Sequence, residues 1–466
     1  MKKNTLLLVT LMLTIVSFGQ EITGKWYGDI KTPTGELPLE INISKTENGY
    51  STTMDSPTQK AFGIPITTTT FENSVLIFAI PAGKVSYEGT FNKDNKIVGF
   101  FSQRGQKFSL SFDRIKNEKA ALIRPQEPKK PYPYYTEDIT FENKKDGITL
   151  AGTLTLPNKE GNFPVVVLIT GSSPQNRDEE ILGHKPFLVI ADYLTRNGIG
   201  VLRYDDRGTA SSKGNYETAT TLDFSYDAEA AVTYLLSRKE INKKKIGLIG
   251  HSEGGVIAPI VASRNKNVSF IALLAGTGLR GDKLLLLQQE LVAKDAGAKD
   301  EDIKKNKDLN IKLFDAILKS TDDNQLKSNI TSIMKQNSKE NPNEKFPNDM
   351  NEDQYINFIL GQYSGVWIES FVKLDPTIYL EKVKCPVLAI NGSKDLQVPA
   401  KENLEAIKNS LSIGKNKKVT IKELPNMNHL FQETTTGSIN EYGKNEQTFS
   451  PIALTEILNW LKTQIK

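Results

Sequence analysis

Gly250-His251-Ser252-Glu253-Gly254 joins two stretches of different character. Ile246 to Ile249 is a short apolar run suited to a buried strand, whereas Val256 to Ala262 is apolar and rich in small residues, as in a buried helix. A serine between glycines at a strand-to-helix junction has a specific chemical use: the sharp turn holds its hydroxyl out at the apex. The helix that follows offers free N–H groups and the positive end of its dipole, which stabilise negative charge forming beside the serine. Ser252 is therefore a candidate nucleophile.

A serine hydroxyl attacks poorly unless a base removes its proton. The chain has three histidines. His251 adjoins Ser252, so its ring is expected to point away from the reacting face and to pack. His184, in "ILGHKPF", precedes a helix on the amino side of the nucleophile and is expected to be structural. His429, in "KELPNMNHLFQ", follows the expected strand "KVTIKEL" and falls at the same sheet edge as Ser252, which makes it the candidate base. The base needs an acid to fix its tautomer, and Asp395 in "PVLAINGSKDLQVP" lies just past an apolar strand. A tetrahedral intermediate needs two N–H donors. They are expected from the backbone of Glu253 and, in the loop "TGSSPQNRD", of Ser172, with Ser173 as the fallback. The Glu253 carboxylate is expected to face solvent. Asp206 and Arg207 in "YDDRG" are expected to form a buried structural pair beneath the loops. Trp367, Tyr363 and Phe371 suit either a wall for an acyl group or the packing of a helical segment.

These residues require a particular scaffold. "PVVVLIT", "IGVLRYD", "KIGLIG", "VSFIALLAG" and "PVLAING" are near-continuous apolar runs, as in parallel strands covered on both faces. Helical stretches separate them, including "PFLVIADYLTRNG", "DFSYDAEAAVTYLLSR" and "SPIALTEILNWLK". Such alternation specifies a doubly wound, mostly parallel α/β domain over 135–466. One polar interval, about 279–371, breaks the alternation with helical spacing and reads as an inserted helical cap. Residues 20–115 alternate apolar and polar positions between turn signals, as a small all-β sandwich or barrel does. The proline-rich 116–134 reads as a linker.

From about Tyr134 to Lys466 the chain resembles secreted bacterial α/β-hydrolases of the carboxylesterase and serine-aminopeptidase-like group. The likeness rests on "LITGSSPQNRDE", "HKPFLVIADYLTRNGIGVLRYDDRGTASSKG", "GLIGHSEGG", "CPVLAINGSKDLQVP" and "PNMNHLFQ". It implies the α/β-hydrolase fold with Ser252, Asp395 and His429 as a catalytic triad. "GKWYGDI" and "MDSPTQKAFGIP" resemble the β-domain that precedes such hydrolases in related secreted proteins. Two positions depart from the pattern: Ala210 stands where "RGxGxS" has Gly, and Ser173 where the oxyanion loop more usually has Gly.

Bulk properties narrow the partners. The 466 residues include 59 basic and 55 acidic side chains, a formal charge of +4, too small to point to nucleic acid or a membrane surface. Hydrophobic residues at 38% and charged at 24% suit a globular protein. Lys2-Lys3, the apolar run Leu6 to Val16 and small residues at Ser17 and Gly19 read as a signal peptide over 1–19, hence a periplasmic or extracellular protein with no integral anchor after cleavage. The single cysteine, Cys385, forms no internal disulfide. No metal or organic cofactor is expected. The chemistry read from these residues is cleavage of small-molecule carboxylic esters through an acyl-enzyme, with a peptidase, aminopeptidase or amidase on the same triad as the alternative. A binding module on a hydrolase scaffold is the rival of another class.

Overall fold

The computed structural model describes residues 21–32, 35–57, 61–103, 106–116, 124–342, 346–347 and 350–466. The signal-peptide reading lies outside the described residues. Two compact units divide the chain at residues 118–119.

The N-terminal unit holds β1 (Gly24–Thr32), β2 (Gly35–Thr46), β3 (Gly49–Ser56), β4 (Ala61–Pro65), β5 (Thr68–Glu72), β6 (Val75–Ile80), β7 (Val85–Phe91), β8 (Lys96–Gln103) and β9 (Gln106–Asp113). They form one sheet in the order β4-β3-β2-β1-β9-β8-β7-β6-β5. β4 and β5 lie at its two edges, yet only residues 66–67 separate them in the chain. Ile66 N–H donates to Thr52 O, and Thr67 N–H to Ala79 O. The sheet has therefore curled until its edges meet, a barrel rather than a sandwich. Period-two alternation drives the curl: Leu76 and Phe78 point into the core with Trp26, Tyr87 and Phe112, while Ile77 faces out. The polar tips are satisfied inside, Trp26 Nε1–H donating to Ile22 O at 2.7 Å.

The larger unit is built on β10 (Tyr135–Asn143), β11 (Ile148–Leu156), β12 (Phe163–Ile169), β13 (Gly200–Tyr204), β14 (Ile241–His251), β15 (Phe270–Leu274), β16 (Val387–Gly392) and β17 (Val419–Leu424). Their order is β10-β11-β13-β12-β14-β15-β16-β17; β11 runs antiparallel to both neighbours and β13 to β17 pair in parallel through β12. Along β12, Val165, Val167 and Ile169 enter one core and Val166 and Leu168 the other. β15 repeats the split, with Ile271 and Leu273 on one face and Phe270, Ala272 and Leu274 on the opposite one. α2 (Thr221–Ser237), α3 (Gly254–Arg264) and α10 (Ala400–Ile413) cover the first face; α1 (Pro186–Arg196) and α11 (Pro451–Gln464) cover the second. Each such aliphatic side chain contributes about 1.5–3 kcal/mol by leaving water, which is why the strands read as unbroken apolar runs. This is the α/β-hydrolase fold.

Between β15 and β16 the chain builds five helices, α4 (Gly281–Asp295), α5 (Asp300–Lys319), α6 (Asp323–Glu340), α7 (Glu352–Tyr363) and α8 (Val366–Lys373), before the short α9 (Thr377–Leu380). Leu313, Phe314, Ile317, Ile330, Met334 and Ile356 give them a core of their own. Side chains fix the starts: Asp322 accepts from Gln325 N–H, and Asn351 and Gln354 form a reciprocal capping box. From Arg124 on, the proline-rich stretch is anchored to the larger unit. The Arg124 guanidinium donates to the carbonyls of Leu182, Gly443 and Asn445, and Gln126 accepts from the Thr448 and Phe449 N–H groups.

Candidate active site

Ser252 sits between the end of β14 and the start of α3 with φ 54°, a left-handed conformation that costs a non-glycine residue energy. Ser252 N–H donates to Leu274 O, at the end of β15, at 2.9 Å. The flanking glycines are a steric requirement. A Cβ on Gly250 would lie 1.9 Å from Gly254 O, and one on Gly254 2.2 Å from Ile169 O of β12. No other residue lets the chain turn so tightly against its neighbouring strand.

Asp395 and His429 follow the neighbouring parallel strands β16 and β17, and the structure brings them together. Asp395 Oδ2 and His429 Nδ1 are 2.8 Å apart, both side chains buried. Asp395 Oδ1 accepts from the N–H groups of Gln397 and Val398, each at 2.8 Å, so the carboxylate is held from both ends. With Nδ1 donating to the acid, Nε2 becomes the basic nitrogen of the neutral ring. The loop carrying His429 is fixed by Asn428, whose Oδ1 accepts from Leu430 and Gln432 N–H at 3.0 Å each. Ser252 lies at the same edge of the sheet, but among the described residues no hydrogen bond joins its hydroxyl to the His429 ring. The link between the two loops runs through His251, whose Nε2–H donates to the His429 carbonyl at 2.9 Å.

The loop after β12 is pinned by carboxylates. Asp206 accepts from the Thr170 hydroxyl at 2.6 Å and from Gln175 N–H at 2.9 Å. Asp205 grips Arg177 through both carboxylate oxygens. Glu179 Oε1 accepts from Gly171 N–H at 2.9 Å, so that amide is committed. The next one, Ser172 N–H, and the Glu253 N–H have no protein acceptor among the described residues. Ser173 and Ala210, the two departures from the family pattern, have φ 78° and 47°. Both are left-handed, which explains the usual preference for Gly there.

Two sequence-based expectations need correction. Glu253 does not face solvent: only 3% exposed, its carboxylate accepts from the Thr221 hydroxyl at 2.6 Å and from Trp367 Nε1–H of α8 at 3.1 Å. Burial raises its pKa against the opposing pull of those two donors. Asp206 and Arg207 are buried but are not a pair. Arg207 binds Asp227 and Asp146, while the Asp206 pKa is raised well above its usual range, chiefly by burial. The three cap aromatics also part company: Tyr363 packs against Phe314, whereas Trp367 stacks on Phe371 at 4.9 Å and reaches the residue after Ser252. His184 is structural, its ring bonded to the Thr448 hydroxyl and the Tyr442 carbonyl. Sequence reading missed Glu179 and the inward role of Glu253. Glu179 sits in a polar run with nothing in its spacing to distinguish it; for Glu253, a position between Ser252 and a buried helix was the available signal. No group of His, Cys, Asp and Glu suited to a metal ion occurs among the described residues.

Residues 146–421, more than half of the chain, match the model of the X-Pro dipeptidyl-peptidase (S15) family. That span holds Ser252 and Asp395 and ends before His429. Among curated proteins, esterase EstD of Thermotoga maritima is 30% identical over 185 residues, 40% of each chain. The human acyl-coenzyme A thioesterase 1 is 31% identical over 128 residues, 27% of each chain. The matched stretches thus span well under half the length of these relatives. Among solved structures, the Pyrococcus furiosus esterase Pf2001 is 18% identical, with 71% of this chain and 91% of that one covered at a TM-score of 0.42. The chain has the α/β-hydrolase fold and belongs to the X-Pro dipeptidyl-peptidase (S15) family.

Proposed function

We propose that the protein hydrolyses carboxylic esters through an acyl-enzyme. Ser252 attacks the ester carbonyl, His429 Nε2 takes the hydroxyl proton and returns it to the leaving alcohol, and Asp395 holds the imidazole and balances its transient charge. The backbone N–H groups of Ser172 and Glu253 receive the oxyanion. Water then attacks the acyl-enzyme by the same path and releases the acid. The observation that carries this reading is the buried Asp395–His429 pair, 2.8 Å apart, at the sheet edge where Ser252 is held in a strained turn.

The family match favours a second reading, cleavage of peptides with a free amino terminus. Such a substrate carries an ammonium group that needs a carboxylate within reach. Glu253, the buried carboxylate next to the nucleophile, already takes the Trp367 indole and the Thr221 hydroxyl. Those donors are neutral and leave its charge open to an ammonium; what supports esters is the 185-residue stretch 30% identical to esterase EstD. The reading extends to location: the residues before Gln20 have the layout of an exported protein's leader, and the substrate is a small molecule met outside the cytoplasm.

Nitrophenyl acyl esters should be turned over strongly and aminoacyl-prolyl nitroanilides weakly. A fluorophosphonate should label the wild type and leave Ser252→Ala unlabelled. Turnover of the anilides alone would replace the ester reading by the peptidase one. A wild type that resists labelling would remove the enzymatic reading and favour a binding role.

A further inference from the structure

His251 was expected to pack, yet both of its ring nitrogens meet hydrogen-bond partners. Its ring is 6% exposed and lies between two acceptors. On one side, Nε2 is 2.9 Å from the backbone carbonyl of His429; a carbonyl cannot donate, so Nε2 carries a proton. On the other, Nδ1 is 2.9 Å from Glu179 Oε1, the oxygen that already accepts from Gly171 N–H. An ionised carboxylate also only accepts, so Nδ1 carries a proton as well. A ring that donates from both nitrogens is an imidazolium.

We infer that His251 and Glu179 form a buried imidazolium–carboxylate pair that positions the proposed catalytic groups, holding the oxyanion loop through Gly171 and the base loop through the His429 carbonyl. The pair rests on the ester-hydrolase reading for its purpose but not for its chemistry. Its geometry joins three chain segments that are far apart in sequence: residues 171–179, the nucleophile turn and the loop around residue 429. Gly171 itself abuts the nucleophile, since a Cβ there would stand 3.1 Å from Ser252 Cβ. Fixing that amide holds the neighbouring Ser172 N–H for the oxyanion that forms on the carbonyl oxygen. On the other flank the imidazole rings of His251 and His429 are 4.8 Å apart. A lone cation at that distance would oppose the charge His429 acquires in the transition state, and Glu179 cancels it. The groups that face His251 from packed segments are Glu179, His429 and, beyond it, Asp395, with Phe431 covering an edge. Burial alone would discharge the ring, but the Glu179 carboxylate outweighs it and its pKa is raised. Charge-assisted hydrogen bonds in so dry a setting are strong and directional.

The chain's three histidines make the test direct. In the full-length protein labelled with 15N-histidine, one ring should show both nitrogens protonated at pH 8. Its signals are assigned by their loss in His251→Gln or, if that variant does not fold, by elimination with His184→Gln and His429→Gln. A His251 ring that is neutral at pH 8 overturns the inference, because the proton would then reside on Glu179. Glu179→Gln keeps the shape and removes the charge. It should abolish the doubly protonated signal and lower kcat by about 10–100-fold with KM within about threefold, the cost of misplacing groups by fractions of an ångström. Glu179→Asp should recover part of both. Unchanged kcat in a folded Glu179→Gln would overturn the positioning role. Fluorophosphonate labelling keeps the two readings apart: a wild type that shows the imidazolium but does not label has lost its proposed activity, not its ion pair.

Discussion

The two residues that flank Ser252 are both buried and both ionisable, and their surroundings are opposite in kind. His251 turns toward the base loop and meets a full counter-charge in Glu179. Glu253 turns toward α2 and α8 and meets only neutral donors, a hydroxyl and an indole. A buried charge with a well-bonded partner fixes geometry, whereas one without a counter-ion is a standing cost. The His429 side of Ser252, the base side of the proposed mechanism, is thus built from the core sheet's own loops and locked by charge. The cap side depends on one side chain from an inserted helical segment, so it is the side that can respond to what the cap binds.

The largest expected effect lies on the base side. Asp395→Asn preserves the acceptor for Gln397 and Val398 N–H but presents an amide to His429 Nδ1, which favours the wrong tautomer. kcat for a nitrophenyl ester should fall by about 10³–10⁴-fold with circular dichroism unchanged. If Trp367→Phe on the cap side costs as much, the contrast between the two flanks is wrong.

A second effect of the base side is on stability. His184 is held neutral, its pKa pushed down to about 4 by burial and by the nearby Arg124. Unfolded, the same group protonates near pH 6.5. Between those values the unfolded state binds more protons, so stability is lost as pH falls from about 6.5 to about 4, on the order of 3 kcal/mol in all. Urea midpoints followed over that range should slope steeply for the wild type and less for His184→Gln. Equal slopes would show that His184 is not the group responsible.

The contrast between the flanks also marks what could be read from the chain alone. The parallel strands were legible because β12, β14, β15 and β16 are buried on both faces and carry little but aliphatic residues. The tight turn at Ser252 was legible because Gly250 and Gly254 are sterically compelled, and Asp395 because it follows such a strand; β17, ahead of His429, is only partly buried and mixes polar with apolar residues, so it gave a weaker signal. α10 escaped notice: its buried stripe of Leu404, Ile407 and Leu411 is interrupted by Asn403 and Ser410, also buried, and diluted by exposed Lys and Glu. Glu179 was beyond reach for another reason. Its partners, Gly171 and His251, are set by how two loops meet over the sheet, and no periodicity encodes that meeting. Glu253 was misread because a charged residue defaults to solvent; α2 and α8 reverse the default by covering it, and α8 comes from a segment more than a hundred residues later.

The smallest effect, and the sharpest probe of the contrast, concerns Glu253 itself. Its pKa is raised by burial, so the folded state keeps a proton that the unfolded chain has lost over a window opening near pH 4.3. Stability from this group is therefore present below that value and falls as pH rises through the folded pKa, the reverse of His184. Glu253→Gln removes the charge while retaining an acceptor for Thr221 and Trp367. It should match the wild type at pH 4 and exceed it by about 1–2 kcal/mol at pH 7, as read from urea midpoints. Trp367→Phe withdraws a donor instead and should cost about 1 kcal/mol, more at pH 7 than at pH 4, with kcat changed only a few-fold. A Glu253→Gln variant equally offset at both pH values would mean that the carboxylate is compensated after all. The cap side would then be as rigidly locked as the base side, and Trp367 would be a structural contact rather than the point where the cap reaches the nucleophile.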